Sequence, residues 1–235
     1  PNQDWPTPPE IVVRLGVKDS SRDKIERFAL EIAPLLTSGP AGITGFAGGR
    51  PRVQPVILYW PTTIPREDVE QIVDFANKQT KIPWPEISYL EQWPLAPEPN
   101  LQPELPNKSN PKHRRVPLLL LALARSGDKG DASNVGVIAR TPELFPILQK
   151  ELTPENVKKY FSGIVKGEVV RYDIANLKAL NFILHDSLGG GGASSLKNDA
   201  QGKTHSQVML HYPVEIAEDM IPESCWKEKY LNYYE

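Results

Sequence analysis

Charged and hydroxyl side chains are concentrated in a short segment that separates two apolar runs. Residues 125–131 read Arg-Ser-Gly-Asp-Lys-Gly-Asp, between an apolar run at 116–124 and a second at 135–139. A hairpin closes with as little as Asn-Gly or Asp-Gly, so this connection is longer and more charged than closure requires. Asp128 and Asp131 could act as general acid and base or hold Mg²⁺, although aspartates also build turns. We therefore predict a strand, a turn and a strand that form one wall of a site.

Three further side chains of this turn are candidates for contact with an anion. Lys129 lies between the two aspartates, and we group it with them as a catalytic residue. Arg125 and Ser126 are assigned to substrate binding, because guanidinium and hydroxyl groups donate hydrogen bonds to carboxylate and phosphate oxygens. The alternative for Lys129 is a solvated surface lysine.

A second candidate segment, residues 189–197, contains four consecutive glycines, two serines and a lysine. One glycine is enough to end a helix, so the additional glycines indicate a loop rich in N–H donors. The alternative is a purely structural turn. The predicted anion-binding residues of this segment are Gly190, Gly191, Ser194, Ser195 and Lys197.

A third glycine-rich segment occupies residues 37–51 and ends in an arginine and a proline. Backbone N–H groups and an arginine suit contact with a phosphate or carboxylate, so Gly48 and Arg50 join the predicted anion-binding set. A long surface connection is the alternative. No Lys-Ser/Thr pair follows the glycines, which excludes a P-loop.

The histidines do not predict a metal site. His205 and His211 fall on a predicted strand, six residues apart, which at about 3.3 Å per residue is roughly 20 Å. That distance is too large for one ion. His185 lies beside an apolar stripe, as packed or capping histidines do. No Gly-x-Ser-x-Gly elbow or Cys/His pair indicates a hydrolase triad.

Composition excludes several classes of protein. The 235 residues are 40% hydrophobic and 24% charged with a net charge of -2, which does not favour binding to nucleic acid or an anionic membrane. The longest apolar run is too short to span a bilayer. The single cysteine, Cys225, excludes an intramolecular disulfide and indicates a cytoplasmic setting. The chain begins with Pro1 and has no signal-peptide pattern, so we interpret residues 1–10 as the lead-in of a processed or truncated start.

The first part of the chain reads as alternating strands and helices. Residues 10–17 and 53–60 are predicted strands, and residues 86–90 one more short strand. Apolar residues between 25 and 36 recur at helical spacing. A second helix is predicted from residue 64, with an apolar stripe of Val69, Ile72, Val73 and Ala76.

Prolines mark the boundary between two domains. Seven prolines lie in residues 93–117 among polar residues that bury little apolar area. We assign residues 1–92 to an α/β portion, 93–115 to a linker and 116–235 to a second domain. The basic cluster His113-Arg114-Arg115 is interpreted as the solvated end of the linker.

The second domain is predicted to be an α+β sandwich, an antiparallel sheet with helices on one face. Thr-Pro-Glu occurs twice and is typical of a helix start. The predicted elements are a strand at 116–124, the strand after the charged turn, helices from Thr141 and Thr153, a strand at 164–172, a helix after Asp173 and a strand at 206–214.

Several of these segments resemble one known family, the acyclic terpene utilisation protein A (AtuA) family. Residues 126–140, Leu180-Asn181-Phe182, the four-glycine loop and residues 199–203 resemble its C-terminal ferredoxin-like domain. Residues 38–51 and Tyr59-Trp60-Pro61 resemble the end of its larger N-terminal domain. The resemblance implies an α/β remnant followed by a ferredoxin-like α+β sandwich. It also implies a Rossmann-like segment before residue 1, which we expect on a separate chain or removed.

The family's setting, the breakdown of branched acyclic terpenoids and related acids, implies an acyl-CoA or branched carboxylate substrate. Hydration, dehydration or isomerisation is the favoured chemistry, a hydro-lyase or isomerase activity that needs an acid/base and an oxyanion donor but no redox cofactor. No cofactor is identified beyond a CoA thioester substrate, with Mg²⁺ a weak alternative. A non-catalytic subunit that completes the site of a separate N-terminal chain is the alternative function. Expected partners are the anionic substrate and a second copy or partner chain, without nucleic acid or membrane.

Overall fold

A computed structural model describes residues 11–43, 45, 49, 51–58, 62–85 and 112–222. Several predictions lie outside the described residues: the anion ligands Gly48 and Arg50, the strand at 86–90, most of the linker, and Cys225.

The first predicted helix is confirmed. Helix α1, Arg22–Ile32, buries Ala29 and Ile32, and the short helix α2, Leu35–Ser38, follows it. Pro34 lies between them, where a missing N–H and a fixed φ interrupt helical hydrogen bonding.

The second predicted helix is wrong, because its residues form a hairpin. Strand β1, Gln71–Phe75, pairs antiparallel with strand β2, Lys78–Ile82. Ala76 and Asn77 join them with φ of 51° and 63°, the left-handed conformation that two-residue hairpin turns require and that asparagine tolerates. The sequence Ala-Asn was therefore a turn signal inside an apparently helical stripe.

Two predicted strands near the start are also absent from the described residues. Residues 11–17 and 53–58 form neither helix nor strand, and Val12 in the first of them is 93% exposed. A strand needs a partner for its backbone groups, and none of the described strands pairs with either segment. Apolar content alone predicted these strands, but it does not show whether a partner strand is present.

Residues 113–217 form an α+β fold with antiparallel sheets, as predicted. The elements are β3 His113–Pro117, β4 Ala122–Lys129, β5 Ala132–Ala139, α3 Phe145–Glu151, α4 Pro154–Tyr160, β6 Val169–Ile174, β7 Ala179–Leu184, α5 His205–Leu210 and β8 Pro213–Ala217. The main sheet has the strand order β4-β5-β7-β6, and a separate two-stranded ribbon pairs β3 with β8.

The main sheet packs its helices on one face and leaves the other open. The buried face carries Val135, Val137, Leu180 and Phe182, each at most 1% exposed, in one cluster with apolar residues of the helices. On the opposite face, which we call the open face, large apolar side chains remain exposed. These are Leu123, Ile138, Tyr172 and Ile174.

The predicted strand at 116–124 is interrupted, and its first part begins earlier, inside the predicted linker. A 3₁₀ turn at Leu118–Leu120 separates β3 from β4. Strand β3 already begins at His113, and Arg114 Nε lies 3.0 Å from Glu218 Oε1. The cluster His113–Arg115 therefore belongs to the sheet ribbon and is not a solvated end of the linker, while the division into two domains stays a prediction.

Two further predictions, in residues 173–217, have the wrong type of secondary structure. The helix predicted after Asp173 is the strand β7, reached through a 3₁₀ turn and Lys178 at φ 52°. The strand predicted at 206–214 is α5 followed by β8, so the His205–His211 distance based on strand geometry is wrong. Both helix starts at Thr-Pro-Glu are confirmed, and Thr153 Oγ1 accepts a hydrogen bond from Asn156 N.

Candidate functional site

The charged hairpin turn and the four-glycine loop contact each other directly. Asp131 Oδ1 accepts a 2.7 Å hydrogen bond from Gly190 N, and the Asp131 carbonyl accepts hydrogen bonds from the N–H groups of Ser187 and Leu188. A Cβ on Gly191 would lie 2.9 Å from the Gly130 carbonyl oxygen. The two segments that the sequence singled out therefore form one surface at this end of the sheet.

Strand alternation divides the candidate residues of the turn between two faces. Successive side chains of β4 point to opposite sides, and Leu123 identifies the open side. Arg125 and Lys129 therefore share the open face, whereas Ser126 and Asp128 lie on the helix-covered face. Asp128 and Lys129, two of the three residues predicted to be catalytic, are sequence neighbours whose side chains the strand directs to opposite faces.

Ser126, assigned to substrate binding from the sequence, is buried and uses its hydroxyl in hydrogen bonds within the fold. Its side chain is 7% exposed, and its hydroxyl donates to the Gly202 carbonyl at 2.6 Å. The same oxygen accepts a 2.9 Å hydrogen bond from Ser206 N. These bonds attach the start of α5 to strand β4.

Three predicted anion ligands of the glycine loop make hydrogen bonds within the loop or to neighbouring backbone carbonyls. Lys197 Nζ donates to the Ser187 carbonyl at 2.6 Å and to the Ile164 carbonyl at 3.2 Å. Ser194 Oγ donates to the Gly190 carbonyl, and Ser195 Oγ accepts from Lys197 N. These hydrogen bonds hold the shape of the loop and fix Lys197 against the Ser187 and Ile164 carbonyls.

Other groups at the hairpin end remain available for chemistry. The carboxylate of Asp128 is partly exposed and makes no hydrogen bond or ion pair with any described residue. Among the described residues, the Lys129 ammonium donates only to the Asp128 carbonyl, at 2.9 Å. Within the described residues, the N–H groups of Gly192 and Ala193 likewise have no acceptor. A carboxylate, a cation and free N–H donors are the groups that proton transfer and oxyanion stabilisation require.

The structure adds three polar residues that sequence reasoning missed. Lys203 Nζ lies 3.1 Å, and Asn134 Oδ1 3.8 Å, from the point where a Cβ on Gly127 would stand. Asn134 Nδ2 donates to Asn181 Oδ1 at 3.3 Å. The sequence contained a signal for the two asparagines, because each is a polar residue inside an apolar strand. Strand alternation places such residues on one face of the sheet. Nothing in the sequence indicated that Lys203 reaches strand β4.

A buried polar cluster lies beneath this end of the sheet. Ser133 Oγ is 2.7 Å from His205 Nδ1 and 3.0 Å from Ser187 Oγ, and all three residues are at most 4% exposed. Because neither Ser133 nor His205 is accessible, this pair does not form a hydrolytic site. It joins strand β5, the glycine loop and helix α5.

The imidazole of His205 makes stability depend on pH. Burial lowers its pKa below the ordinary value; the charge of Asp199 opposes this and that of Lys197 assists it. The unfolded chain binds a proton near pH 6.5, whereas the folded chain does so only at lower pH. The free energy of unfolding is therefore expected to fall as pH drops below about 6.5, towards the folded-state pKa.

Urea denaturation between pH 7.5 and 5.5 measures this dependence. The variant His205→Asn retains an oxygen near the Nδ1 position but cannot gain a proton, and it is expected to show a shallower pH dependence than the wild type. Equal slopes for the two proteins would contradict the assignment.

Part of the N-terminal region contacts the glycine loop. Arg14 donates to Asn198 Oδ1 at 3.0 Å and to the Lys197 carbonyl at 3.2 Å. Lys18 Nζ donates to the Ser194 carbonyl at 3.3 Å. Two cations from the first part of the chain therefore lie beside the candidate site.

The described ranges contain neither a metal-binding cluster nor a membrane-spanning helix. No group of three or more His, Cys, Asp or Glu residues there is arranged to hold an ion. No helix in the same ranges is long and apolar enough to cross a membrane.

An antiparallel sheet with helices on one face is consistent with a ferredoxin-like α+β domain. Residues 116–215 match the family described as AtuA ferredoxin-like domain, and residues 1–75 match the Acyclic terpene utilisation family protein AtuA. The chain belongs to the AtuA family. No curated protein and no solved structure matches it.

Proposed function

We propose that this chain is part of an enzyme that acts on an acyl-CoA or a branched carboxylate in the breakdown of acyclic terpenoids and related acids. The observation that supports this most is the contact between the hairpin turn and the glycine loop, through Asp131 and Gly190. It places the glycine loop against the turn that follows Asp128 and Lys129.

The proposed chemistry is hydration, dehydration or isomerisation. Asp128 would accept the proton from water or from the carbon next to the acyl carbonyl, and would return it in the reverse direction. The N–H groups of Gly192 and Ala193 would stabilise the negative charge that develops on the carbonyl oxygen. Lys129 would bind a carboxylate or phosphate of the substrate as a point charge.

A non-catalytic subunit is the second candidate, and a specific observation favours it. Ser194 and Ser195 are bonded inside the glycine loop, and Lys197 ties the loop to the Ser187 carbonyl, as expected if that loop is a docking element. Exposed apolar residues at Ile11 and Val12 also suit pairing with another chain. Turnover by the purified chain alone favours the enzyme, whereas turnover only after addition of a partner chain favours the subunit.

The role of Lys129 is tested by ligand binding. The probe is 3-methylbut-2-enoyl-CoA, a short branched thioester, with its affinity measured by isothermal titration calorimetry. The substitution Lys129→Ala is expected to weaken binding by about 1–3 kcal/mol, the range for a hydrogen bond to a charged group. Lys158→Ala removes an exposed cation from helix α4 and is the matched control, expected to bind as the wild type does. Equal affinities for the Lys129→Ala variant and the wild type would remove Lys129 from the site.

A further inference from the structure

The open face of the main sheet is polar at one end and apolar at the other. Antiparallel register places Leu123, Ile138, Ala179 and Ile174 in one row across the four strands. The next row towards the hairpin contains Arg125, Gly136, Asn181 and Tyr172, and the third contains Gly127 and Asn134. None of these positions, nor Lys129, Ala132, Ile183 or Val170, which complete the face, is acidic.

Two cations share the polar end, and neither pairs with an acidic side chain in the part of the chain that the structure describes. The Arg125 guanidinium makes no ion pair or hydrogen bond with any described residue, and the same holds for the Lys203 ammonium. Lys203 reaches this face because Gly127 has no side chain, and its Nζ lies where that side chain would begin. Arg125 and Gly127 are two residues apart on β4, or about 7 Å. An anionic group of carboxylate size could therefore contact both cations.

The apolar row forms the floor of a shallow depression beside those cations. The depression has a volume of about 320 Å³, and Leu123, Ile138 and Ile174 line it together with Arg125 and Asn181. Three inter-strand spacings of about 4.8 Å give the row a length of about 14 Å. Gly136 keeps the depression open, since a Cβ there would have no neighbour closer than 3.8 Å.

We propose that the open face binds an amphipathic carboxylate, with its head group between Arg125 and Lys203 and its apolar chain along the row from Leu123 to Ile174. The inference deepens the proposed function, on which it rests for the acyl class of the ligand, but it concerns a separate set of residues. A second copy of the chain fits this face less well. A symmetric pair would bring two cationic surfaces together, and juxtaposed like charges oppose association.

Three probes of matched structure test the proposal by calorimetry. Decanoate carries both the anionic group and a chain of suitable length, decanol lacks the charge, and acetate lacks the chain. Decanoate is expected to bind at least tenfold more tightly than either of the others. Equal binding of decanoate and decanol would overturn the role of the two cations. Equal binding of decanoate and acetate would overturn the role of the apolar row.

Substitutions then locate the site. Arg125→Ala and Lys203→Ala are each expected to weaken decanoate binding about 10–100-fold, the equivalent of a charged hydrogen bond. Gly136→Val fills the depression with a residue that suits strands, and is expected to abolish binding while circular dichroism stays that of the wild type. Lys158→Ala on helix α4 is the control and should bind decanoate normally. Unchanged affinity in the Arg125→Ala and Lys203→Ala variants would overturn the proposal even if Gly136→Val did not fold.

The same experiments separate this inference from the proposed function. Decanoate binding that depends on Arg125 and Lys203 supports the open-face site, whether or not the chain catalyses turnover of the thioester. Turnover without decanoate binding would overturn the open-face site and leave the proposed function standing. A dimer that dissociates in the Arg125→Ala variant and that decanoate does not disrupt would also overturn it, since the face would then be an interface between copies.

Discussion

Replacement of Asp128 by asparagine is expected to reduce turnover of an enoyl-CoA thioester by about 10²–10⁴-fold, the usual contribution of a general acid or base. Asparagine has the shape of aspartate but cannot exchange a proton. Asp128 is partly exposed near the end of the edge strand β4, and its carboxylate makes no hydrogen bond or ion pair with a described residue. The free energy of unfolding should therefore change by no more than about 0.5 kcal/mol. Stopped-flow absorbance of the conjugated thioester measures turnover, and urea denaturation measures stability.

Two other carboxylates provide the controls. Asp173 lies on β6 at the far edge of the sheet and pairs with Arg171 Nε at 2.9 Å. Asp173→Asn should therefore leave turnover unchanged. Asp131→Asn keeps an oxygen that can accept the hydrogen bond from Gly190 N, so the loop should stay docked while one charge is lost.

The two aspartates of the turn give distinguishable results. A large loss of turnover in Asp128→Asn with a small loss in Asp131→Asn supports Asp128 as the proton-transfer residue. The reverse order would transfer that role to Asp131. Full turnover in both variants would reduce the turn to a structural element and assign the proton transfer to a group outside it.

The parts of the fold that sequence reasoning predicted correctly are those with a local chemical signal. Thr153 and the proline after it determine a helix start through a cap that the hydroxyl makes with Asn156 N. The hairpin around Gly130 was predicted because an apolar run flanks the glycine-containing turn on each side. In the structure, Gly130 adopts φ 68°. Both signals act over a few residues and need no distant partner.

The errors fall where two periodicities coincide. Leu180, Ile183 and Leu184 satisfy helical spacing, whereas Leu180, Phe182 and Leu184 satisfy strand alternation. The neighbours β5 and β6 resolve this ambiguity by supplying hydrogen-bond partners on both sides of β7. Such long-range pairing overrides local preference and is not readable from the segment itself.

Predictions of the site had a different limit. Serine and lysine residues in a glycine-rich loop indicate hydrogen-bond donors. The sequence does not show whether those donors face a ligand or carbonyl groups of the protein itself. Lys197 is bonded to two carbonyls, and Ser126 to the start of α5. Lys203 lies over Gly127 because the distant turn before α5 packs against strand β4. Only the tertiary arrangement distinguishes these cases.

The contact between the turn and the glycine loop also predicts a large effect on stability. Gly191 has φ 84°, and a Cβ there would lie 2.9 Å from the Gly130 carbonyl oxygen and 3.2 Å from its carbonyl carbon. Both neighbours are backbone atoms, which cannot yield as the end of a side chain can. Gly191→Ala is therefore expected to lower the free energy of unfolding by about 2–4 kcal/mol, from left-handed strain of about 1–3 kcal/mol and steric overlap of similar size. Urea denaturation followed by circular dichroism measures the change.

The adjacent residue provides the matched control. Gly192 does not have a left-handed φ, and the nearest atom to a Cβ there is Gln201 Cγ at 3.6 Å, an ordinary contact. Gly192→Ala should therefore cost no more than about 1 kcal/mol, the normal range for an exposed site. Since Gly191→Ala forces Gly190 away from Asp131, it should also impair thioester turnover, whereas Gly192→Ala should retain most of it. Equal stability of the two variants would mean that the loop does not rest on the hairpin turn, and the candidate site would lose the contact on which it is built.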